Sequence, residues 1–337
     1  MKRIMKSMLL MIAAVIFVSN FAIARDQIKI VGSSTVYPFA SYVAEEFGAT
    51  TKHSTPVIES TGSGGGHKLT WVSDAMDTPD ITNSSRRIKV SEFERAMNNG
   101  VEGIIENIIG YDGIVLANNK KAEKFKVSRE DILLAVAAEV PKNGKLVKNP
   151  YQYWNEINSD LPHSEILVYG PPTSSGTRDA FEDLVMEAAS EEMPAYGGEY
   201  TKIRQDGVYV PSGENDNLIV QRLVKNAGAI GIFGYSFLEE NQDRIQGAVV
   251  DGYEPTPENI SSGSYPVSRS LFVYVKKAHI DKVAGVKAFM DLFLSEKMIG
   301  EYGYLKNIGL IPLPEKMREQ QRKSWKKRDV IELSDLK

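Results

Sequence analysis

Short segments rich in serine, threonine and glycine recur at four places in this chain, at residues 32–35, 61–66, 80–88 and 174–178. Each segment is followed by a stretch with helical spacing of its apolar residues. The first N–H groups of a helix have no internal partner and carry roughly half a positive charge, so small residues there allow an anion to dock on the backbone. The pattern therefore predicts a site for a small anion.

Neutral donors and two arginines are the candidate ligands of that anion. The donors are Ser34, Thr35, Ser63, Ser85, Ser175, Gly176 and Thr177. Arg178 and Arg86 directly follow hydroxyl residues, and a guanidinium group is a planar, two-pronged donor suited to an oxyanion. Taken singly, the segments also fit a capped helix, a flexible linker or solvated arginines. Their repetition is what favours an anion site.

Strand-like and helix-like segments alternate around these turns. Apolar runs at 28–31, 56–60, 166–169 and 229–235 predict strands. Helical spacing is found at 36–48, from residue 67 onward, and at 91–97, 128–138, 179–186 and 283–294. The segment at 80–88 is predicted to be a polar turn. This alternation predicts an α/β protein with doubly wound sheets, in which ligands bind beyond the carboxyl ends of the strands.

Two long extended runs interrupt the alternation, at 104–118 and 265–275. Strands of that length with internal glycines suit crossings between two lobes. We therefore expect a two-lobed molecule with a discontinuous first lobe, at 25–112 and 269–337, and a second lobe at 113–268. Hinge closure at Gly110–Gly113 and Ser268–Ser270 is expected to bury the anion.

The first 24 residues predict an export signal. Basic Lys2, Arg3 and Lys6 precede an apolar core, and residues 22–24 form a small-x-small cleavage site after Ala24. Without this signal the net charge of −4 becomes −7, which does not suggest a nucleic-acid partner. The chain contains no cysteine, so disulfides and a lipid-anchored amino terminus are not expected. These features predict a periplasmic protein.

The carboxyl-terminal region at 316–328 is strongly basic. We expect it to be a solvated helix end, and the alternative is a docking segment for a partner or a membrane surface.

Several of these motifs resemble those of the periplasmic phosphate-binding proteins of bacterial ABC transporters, the PstS family. The resemblance extends over essentially the whole mature chain and is carried by residues 32–35, 61–65, 80–86, 109–116, 175–177 and 228–231. It implies a two-lobed fold of the type II-like periplasmic binding proteins. It also implies that Ser34, Thr35, Ser63, Ser175, Gly176 and Thr177 donate hydrogen bonds to phosphate.

Two positions depart from the family pattern. Some members have an acidic residue, which accepts the proton of hydrogen phosphate, where this chain has Ser85. They also have an arginine upstream of the Ser-Gly-Thr turn, where this chain has Pro171-Pro172. Arg178 resembles the substitute used by a subset of relatives. Glu59 and Asp80 are the candidates for the missing acceptor. A carboxylate in the site accepts from protonated phosphate and repels sulfate, so its identity bears on selectivity.

The resemblance implies capture of inorganic phosphate and its delivery to an inner-membrane permease, by a monomer without cofactor or metal. Alternatives are binding of another tetrahedral oxyanion, such as sulfate or arsenate, and hydrolysis of phosphate esters. The four histidines are scattered, and neither a Gly-x-Ser-x-Gly nor a His-Glu-x-x-His motif is present. A nucleotide-binding loop is excluded because the pattern starting at Gly62 needs glycine where His67 stands. We therefore expect a binding protein and not an enzyme.

Overall fold

The computed structural model describes residues 25–173, 175–212 and 216–337. The predicted signal segment with its cleavage after Ala24, and Ser174 of the fourth hydroxyl segment, lie outside the described residues. Within those ranges, no helix is both long and apolar enough to cross a membrane.

The strands are β1 (Lys29–Gly32), β2 (Val57–Ser60), β3 (Ile81–Ser84), β4 (Ile104–Asn119), β5 (Lys126–Val127), β6 (Glu139–Lys142), β7 (Lys145–Lys148), β8 (Val168–Gly170), β9 (Tyr209–Pro211), β10 (Ile230–Gly234), β11 (Ile245–Gly247), β12 (Val249–Val250) and β13 (Ser268–Lys276). The α-helices are α1 (Tyr37–Thr50), α2 (Ser63–Thr70), α3 (Val90–Asn98), α4 (Arg129–Val136), α5 (Trp154–Ile157), α6 (Gly176–Phe181), α7 (Ala188–Glu191), α8 (Asn217–Lys225), α9 (Tyr235–Glu240), α10 (Pro257–Ser261), α11 (Val286–Phe293), α12 (Glu296–Ile299) and α13 (Glu315–Lys327). A π-helix (Glu182–Glu187) joins α6 to α7, and short 3₁₀ turns occur at Pro194–Tyr196, Lys277–His279, Tyr304–Ile308 and Leu333–Leu336.

One large sheet runs through the molecule in the order β2-β1-β3-β13-β4-β10-β8-β9, and β11 also pairs with β4. Strands β1, β2 and β3 are parallel to one another, as are β8, β9 and β10. We call the part built on the first three strands the first lobe, and the part built on the other three the second lobe. The expected two-lobed α/β architecture is confirmed.

The two long strands β4 and β13 join the lobes, and their register shows where the cleft lies. They pair antiparallel from Ser268↔Gly113 to Lys276↔Ile104, with a bulge between Leu271 and Phe272. The carboxyl end of β3 lies beside Phe272, and that of β10 lies beside Ile114. The parallel strands of both lobes therefore end at the crossing.

A third segment also passes between the lobes. Tyr111 and Ile311 exchange two backbone hydrogen bonds, of 2.8 and 3.0 Å. Leu310 belongs to the apolar core of the first lobe, and Ile311 belongs to that of the second. Gly110 is needed here because an added Cβ would lie 2.8 Å from the Ile311 carbonyl oxygen. The two predicted crossings are therefore supplemented by a third segment, which pairs with β4 through a single β-bridge.

Buried apolar residues form a separate core in each lobe. One cluster extends from Tyr111 to Val267 and includes Leu313, and another contains residues between Ile28 and Ile109 and between Leu271 and Trp325. Removal of this apolar surface from water, at about 25 cal/mol per Å², is the main force holding each lobe together.

Helix α13 corrects one expectation about the basic carboxyl-terminal region. Its inward face is packed, with Arg318 and Trp325 buried. Trp325 Nε1 donates to Asp291 Oδ1 at 2.8 Å, and Gln321 Oε1 accepts from the Ile108 amide at 3.0 Å. The prediction of a solvated helix end was wrong for this face because residues four apart on a helix align and anchor it to the sheet.

Candidate functional site

A cleft between the lobes opens above the crossing strands. It encloses about 540 Å³, and its lining residues come from the loop after β3, the π-helix and the start of β13. They are Ser85, Arg86, Arg87, Lys89, Asp183, Leu184, Glu187, Arg269, Ser270 and Phe272. The cleft lies at the carboxyl end of β3, where doubly wound sheets bind their ligands.

Two of the predicted donors, Ser63 and Ser85, meet at this edge of the first lobe. Their hydroxyl oxygens are 3.2 Å apart, and the Ser85 amide donates to Ser63 Oγ at 3.1 Å. Ser63 is the first residue of α2, so the predicted glycine loop is shorter than expected and the helix begins before His67. Gly66 permits this because an added Cβ would lie 2.7 Å from the Cα of Gly32.

A hydrogen-bonded relay behind Ser85 holds this loop in place. Trp71 Nε1 donates to His67 Nδ1 at 2.9 Å, His67 Nε2 lies 3.3 Å from Ser84 Oγ, and Ser84 Oγ donates to the Arg86 carbonyl at 2.6 Å. An indole N–H can only donate, so Nδ1 accepts and Nε2 carries the proton. Burial lowers the pKa of His67 to about 4, which keeps the ring neutral at neutral pH.

Strand β3 was not predicted. The segment expected to be a polar turn forms this strand at Ile81–Ser84, and all four of its residues are buried. The Thr82 hydroxyl donates to the Val31 carbonyl at 3.2 Å, so a polar side chain is satisfied inside the sheet. Hydrophobic periodicity cannot detect such a strand, and the prediction of a turn there was wrong.

Donors from the two lobes also meet across the cleft. Ser34 Oγ donates to Asp179 Oδ2 at 2.7 Å, and Thr35 Oγ1 lies 3.5 Å from the Gly176 carbonyl oxygen. An added Cβ on Gly176 would lie 3.1 Å from the Cα of Thr35, so glycine is what allows the two backbones to approach. The structure therefore brings the lobes into contact at these predicted residues.

Ser175 and Thr177 flank this contact. The Ser175 hydroxyl accepts from the Thr177 amide at 3.2 Å and caps α6, which begins at Gly176. The predicted strand, turn and helix are present here, although the helix starts three residues earlier than expected and continues as a π-helix.

Arg178 is directed away from the other predicted residues. Its side chain is only 8% exposed, and its Nε donates to Glu182 at 2.6 Å. The guanidinium carbon lies 5.0 Å from the centre of the Tyr209 ring. Arg178 lines a separate cavity with Arg204 and Pro211.

Arg86 lines the cleft but is engaged by a carboxylate of its own lobe. Its two terminal nitrogens donate to the two oxygens of Glu92 at 2.9 and 2.8 Å. The hydrogen bonds that Arg86 donates to Glu92 raise the pKa of Arg86. This bidentate pair fixes the geometry of Arg86 and neutralises much of its charge.

Sequence reasoning missed the charged residues that the crossing strands bring to the cleft. Arg269 donates to Thr35 Oγ1 at 2.9 Å and to Asp183 at 3.1 Å. Its register partner on β4 is Asp112, and the two side chains are 3.5 Å apart. Burial raises the pKa of Asp112. The sequence did contain a signal for these residues. Each of the two predicted crossings has a charged residue, Asp112 or Arg269, within its expected hinge.

Asp80 is not available as the acceptor of a phosphate proton. It precedes β3 at the amino end of the strand, its side chain is fully buried, and it contacts Arg25 and His279. That end of the sheet is opposite the cleft, so Asp80 is not a candidate for the acceptor. Glu59 is an exposed residue of β2 and is not among the residues lining the cleft.

No cluster of three or more histidine, cysteine, aspartate or glutamate side chains suited to a metal ion occurs at residues 25–173, 175–212 or 216–337. The polar side chains lining the cleft are two hydroxyls, four cationic groups and the carboxylates of Asp183 and Glu187. The hydroxyls and cationic groups are donors that suit an oxyanion.

Comparison with known proteins agrees with this geometry. Residues 21–297 match the model of the PBP_like_2 family, described as a PBP superfamily domain. The match covers most of the chain, which therefore belongs to this family. The resemblance predicted from the sequence is confirmed.

Two curated relatives support the assignment. Protein SphX of Synechococcus elongatus is 29% identical over 291 residues, which cover 85% of this chain and 77% of the relative. The phosphate-binding protein PstS of Staphylococcus saprophyticus is 29% identical over 305 residues, which cover 89% and 84%.

Solved structures share the fold. A possible phosphate binding protein from Planctomyces limnophilus has a TM-score of 0.75 and 27% identity, with 90% of this chain and 98% of that one covered. PstS from Borrelia burgdorferi has a TM-score of 0.57 at 19% identity, with 81% and 94% covered, and supports the fold alone.

Proposed function

We propose that this protein binds inorganic phosphate in the cleft between its lobes and delivers it to a membrane ABC permease for phosphate uptake. The observation that carries the proposal is that hydroxyl-bearing turns of the two lobes contact each other, beside a cleft that Ser85 and Arg86 line. Ser34 and Thr35 contact the turn at Gly176, and Ser63 contacts Ser85 on the same side. The names of the relatives from Staphylococcus and Planctomyces support phosphate as the ligand.

The proposed site consists of the nine residues predicted from the sequence. Ser34, Thr35, Ser63, Ser85, Ser175, Gly176 and Thr177 supply hydroxyl and amide donors, and Arg86 and Arg178 supply positive charge. Arg86 is paired with Glu92 beside the cleft, and Arg178 is paired with Glu182 and faces a separate cavity. Arg178 has to leave Glu182 to reach a bound anion.

Hinge closure is the proposed mechanism. The proposed lobes are 25–112 with 269–337, and 113–268, and they move about the crossings at Gly110–Gly113 and Ser268–Ser270. Two observations support this division: most core residues cluster within their own lobe, with Tyr111, Ile311 and Leu313 as exceptions that pack in the second core, and Ser34 of one lobe contacts Asp179 of the other. An anion that binds donors of both lobes favours the closed form by its differential affinity.

Calorimetric titration of phosphate-free protein with phosphate, arsenate and sulfate tests the function. We expect saturable binding of phosphate. Sulfate binding in preference to phosphate would reassign the protein to another oxyanion, and the absence of binding of all three anions would refute the proposal.

We further propose that the mature protein is a periplasmic monomer, released after Ala24 without a lipid anchor, that uses no cofactor and catalyses no reaction. Size-exclusion chromatography with light scattering tests the monomer. Incubation of the purified protein with a chromogenic phosphate ester tests the absence of catalysis, and turnover would contradict it.

A further inference from the structure

Arg86, Arg87 and Arg269 line the cleft, Arg178 lies in a separate cavity, and the partners of these four arginines distinguish them. Arg87 is paired with Glu106 of its own lobe. Arg86 and Arg178 are paired with Glu92 and Glu182, which belong to the same lobe as the arginine they hold. Opening or closing the cleft leaves such pairs intact. Arg269, in contrast, donates across the cleft, so its hydrogen bond can be exchanged when the lobes move.

The guanidinium of Arg269 does not use all of its N–H donors in hydrogen bonds to the described residues. Nη2 donates to Thr35 Oγ1 and Nη1 to Asp183, while Nε has no hydrogen-bond partner among the described residues although its atom is buried. Asp112 Oδ2 lies 3.5 Å from Nε, which is within ion-pair range, but the geometry does not form a hydrogen bond. A guanidinium has five N–H groups, so Arg269 can accept a further anionic partner.

The two side chains of the ion pair between Arg269 and Asp183 differ in burial. The side chain of Arg269 is 9% exposed, whereas that of Asp183 is 57% exposed. Asp183 can therefore swing into water at little cost, and Arg269 remains fixed on β13. Asp183 follows Asp179 by four residues, and Asp179 in turn accepts from Ser34.

We propose that Arg269 is the cation that binds the anion directly, and that the Asp183 carboxylate occupies part of its guanidinium until the anion displaces it. This inference rests on the proposed function. A carboxylate oxygen and a phosphate oxygen accept the same N–H groups, so the anion replaces one acceptor by another. Because the carboxylate competes with the anion, it lowers affinity and eases release.

Calorimetric titration with inorganic phosphate of the wild type, Arg269→Gln and Asp183→Asn tests this inference. Arg269→Gln is expected to weaken binding at least about 30-fold, the effect of truncating one member of a desolvated charge pair. Asp183→Asn is expected to tighten binding about two- to five-fold, the strength of a half-exposed ion pair. The matched controls are Arg328→Gln and Asp281→Asn, which break a surface ion pair outside the cleft and are expected to leave affinity within two-fold of the wild type.

The outcomes separate the two proposals. If the wild type binds no phosphate, the proposed function fails. If the wild type binds and Arg269→Gln binds equally well, the role of Arg269 is refuted. Weaker binding by Asp183→Asn would show that Asp183 contacts the anion and does not compete with it, which overturns that half of the inference. If Arg269→Gln does not fold, Arg269→Lys is measured in its place. Loss of the planar guanidinium is expected to weaken phosphate binding about ten-fold, and unchanged affinity would contradict a direct contact.

Discussion

At the amino ends of β1 and β3, Asp80 is enclosed by Arg25, the Lys29 amide and His279. At the opposite end of this sheet, beyond the carboxyl ends of β2 and β3, Ser63 and Ser85 contact each other beside the cleft. Polar groups lie at both ends of these strands. Those at the amino ends surround a fully buried carboxylate on three sides, and those at the carboxyl ends present hydroxyls to a cavity.

The difference shows how to separate a structural polar cluster from a binding site. At the amino ends of the strands, the charged groups already have partners inside the fold: Asp80 contacts Arg25 and His279, and Lys276 donates to the Ser73 carbonyl and the Thr78 hydroxyl. Burial lowers the pKa of Lys276 to about 8. At the carboxyl ends, Arg269 Nε has no hydrogen-bond partner among the described residues, and one of the two acidic partners of Arg269, Asp183, comes from the other lobe. We therefore expect changes at the amino ends to affect stability and changes at the carboxyl ends to affect binding.

The largest expected effect is that of Asp80→Asn. The change leaves Arg25 and His279 without their carboxylate in a buried site, which costs about 3 to 5 kcal/mol of unfolding free energy. Urea unfolding in phosphate-free buffer measures the loss, with exposed Asp243→Asn as the control. The affinity of the folded variant for phosphate is expected to stay within two-fold of the wild type. A clear loss of phosphate affinity without a loss of stability would contradict the conclusion that the polar groups at the amino ends of the strands are structural.

His67 tests whether the relay behind Ser85 is structural. Its pKa is lowered to about 4 by burial, compared with about 6.5 when unfolded, so the unfolded chain binds a proton first as the pH falls. Stability is therefore expected to decline from pH 6.5 towards pH 4, by roughly 3 kcal/mol over this window. The measurement is urea unfolding of the wild type and His67→Gln at several pH values. If the protonation of His67 does not change on unfolding, the difference in stability between the wild type and His67→Gln is expected to be the same at every pH.

Much of this architecture could be predicted from the sequence, and the failures have identifiable causes. Strands β1, β4 and β13 were predicted because their apolar runs are long or β-branched. Strand β3 was missed because its polar side chains are satisfied by neighbouring strands that the local sequence does not contain. The same limit hid Arg269, whose position in the cleft depends on the pairing of two strands more than 150 residues apart in the chain.

Gly176→Ala tests the contact across the cleft. The added methyl group would lie 3.1 Å from the Cα of Thr35, so full closure requires the backbones to separate. We expect phosphate affinity to fall by about 1 to 3 kcal/mol, the usual cost of overpacking, with little change in the stability of the phosphate-free protein. Gly228→Ala, whose added Cβ would lie 3.7 Å from Asn226 Oδ1, is the control. Equal affinity of Gly176→Ala and the wild type would show that binding does not need this approach of the lobes.

The smallest expected effect is that of Ser63→Ala, and it distinguishes direct binding from support of the neighbouring loop. The change removes the acceptor of the Ser85 amide and one proposed phosphate donor, and each neutral hydrogen bond is worth about 0.5 to 1.5 kcal/mol. Phosphate titration and urea unfolding are measured on the same sample, with Ser261→Ala as the control because its hydroxyl bonds only within α10. If Ser63 donates to the anion, affinity falls while unfolding is nearly unchanged, since water can reach the Ser85 amide in the open cleft. If only the stability against urea falls, the role of Ser63 is structural, as is that of Asp80. The site at the carboxyl ends of the strands would then bind phosphate through fewer hydroxyls than proposed.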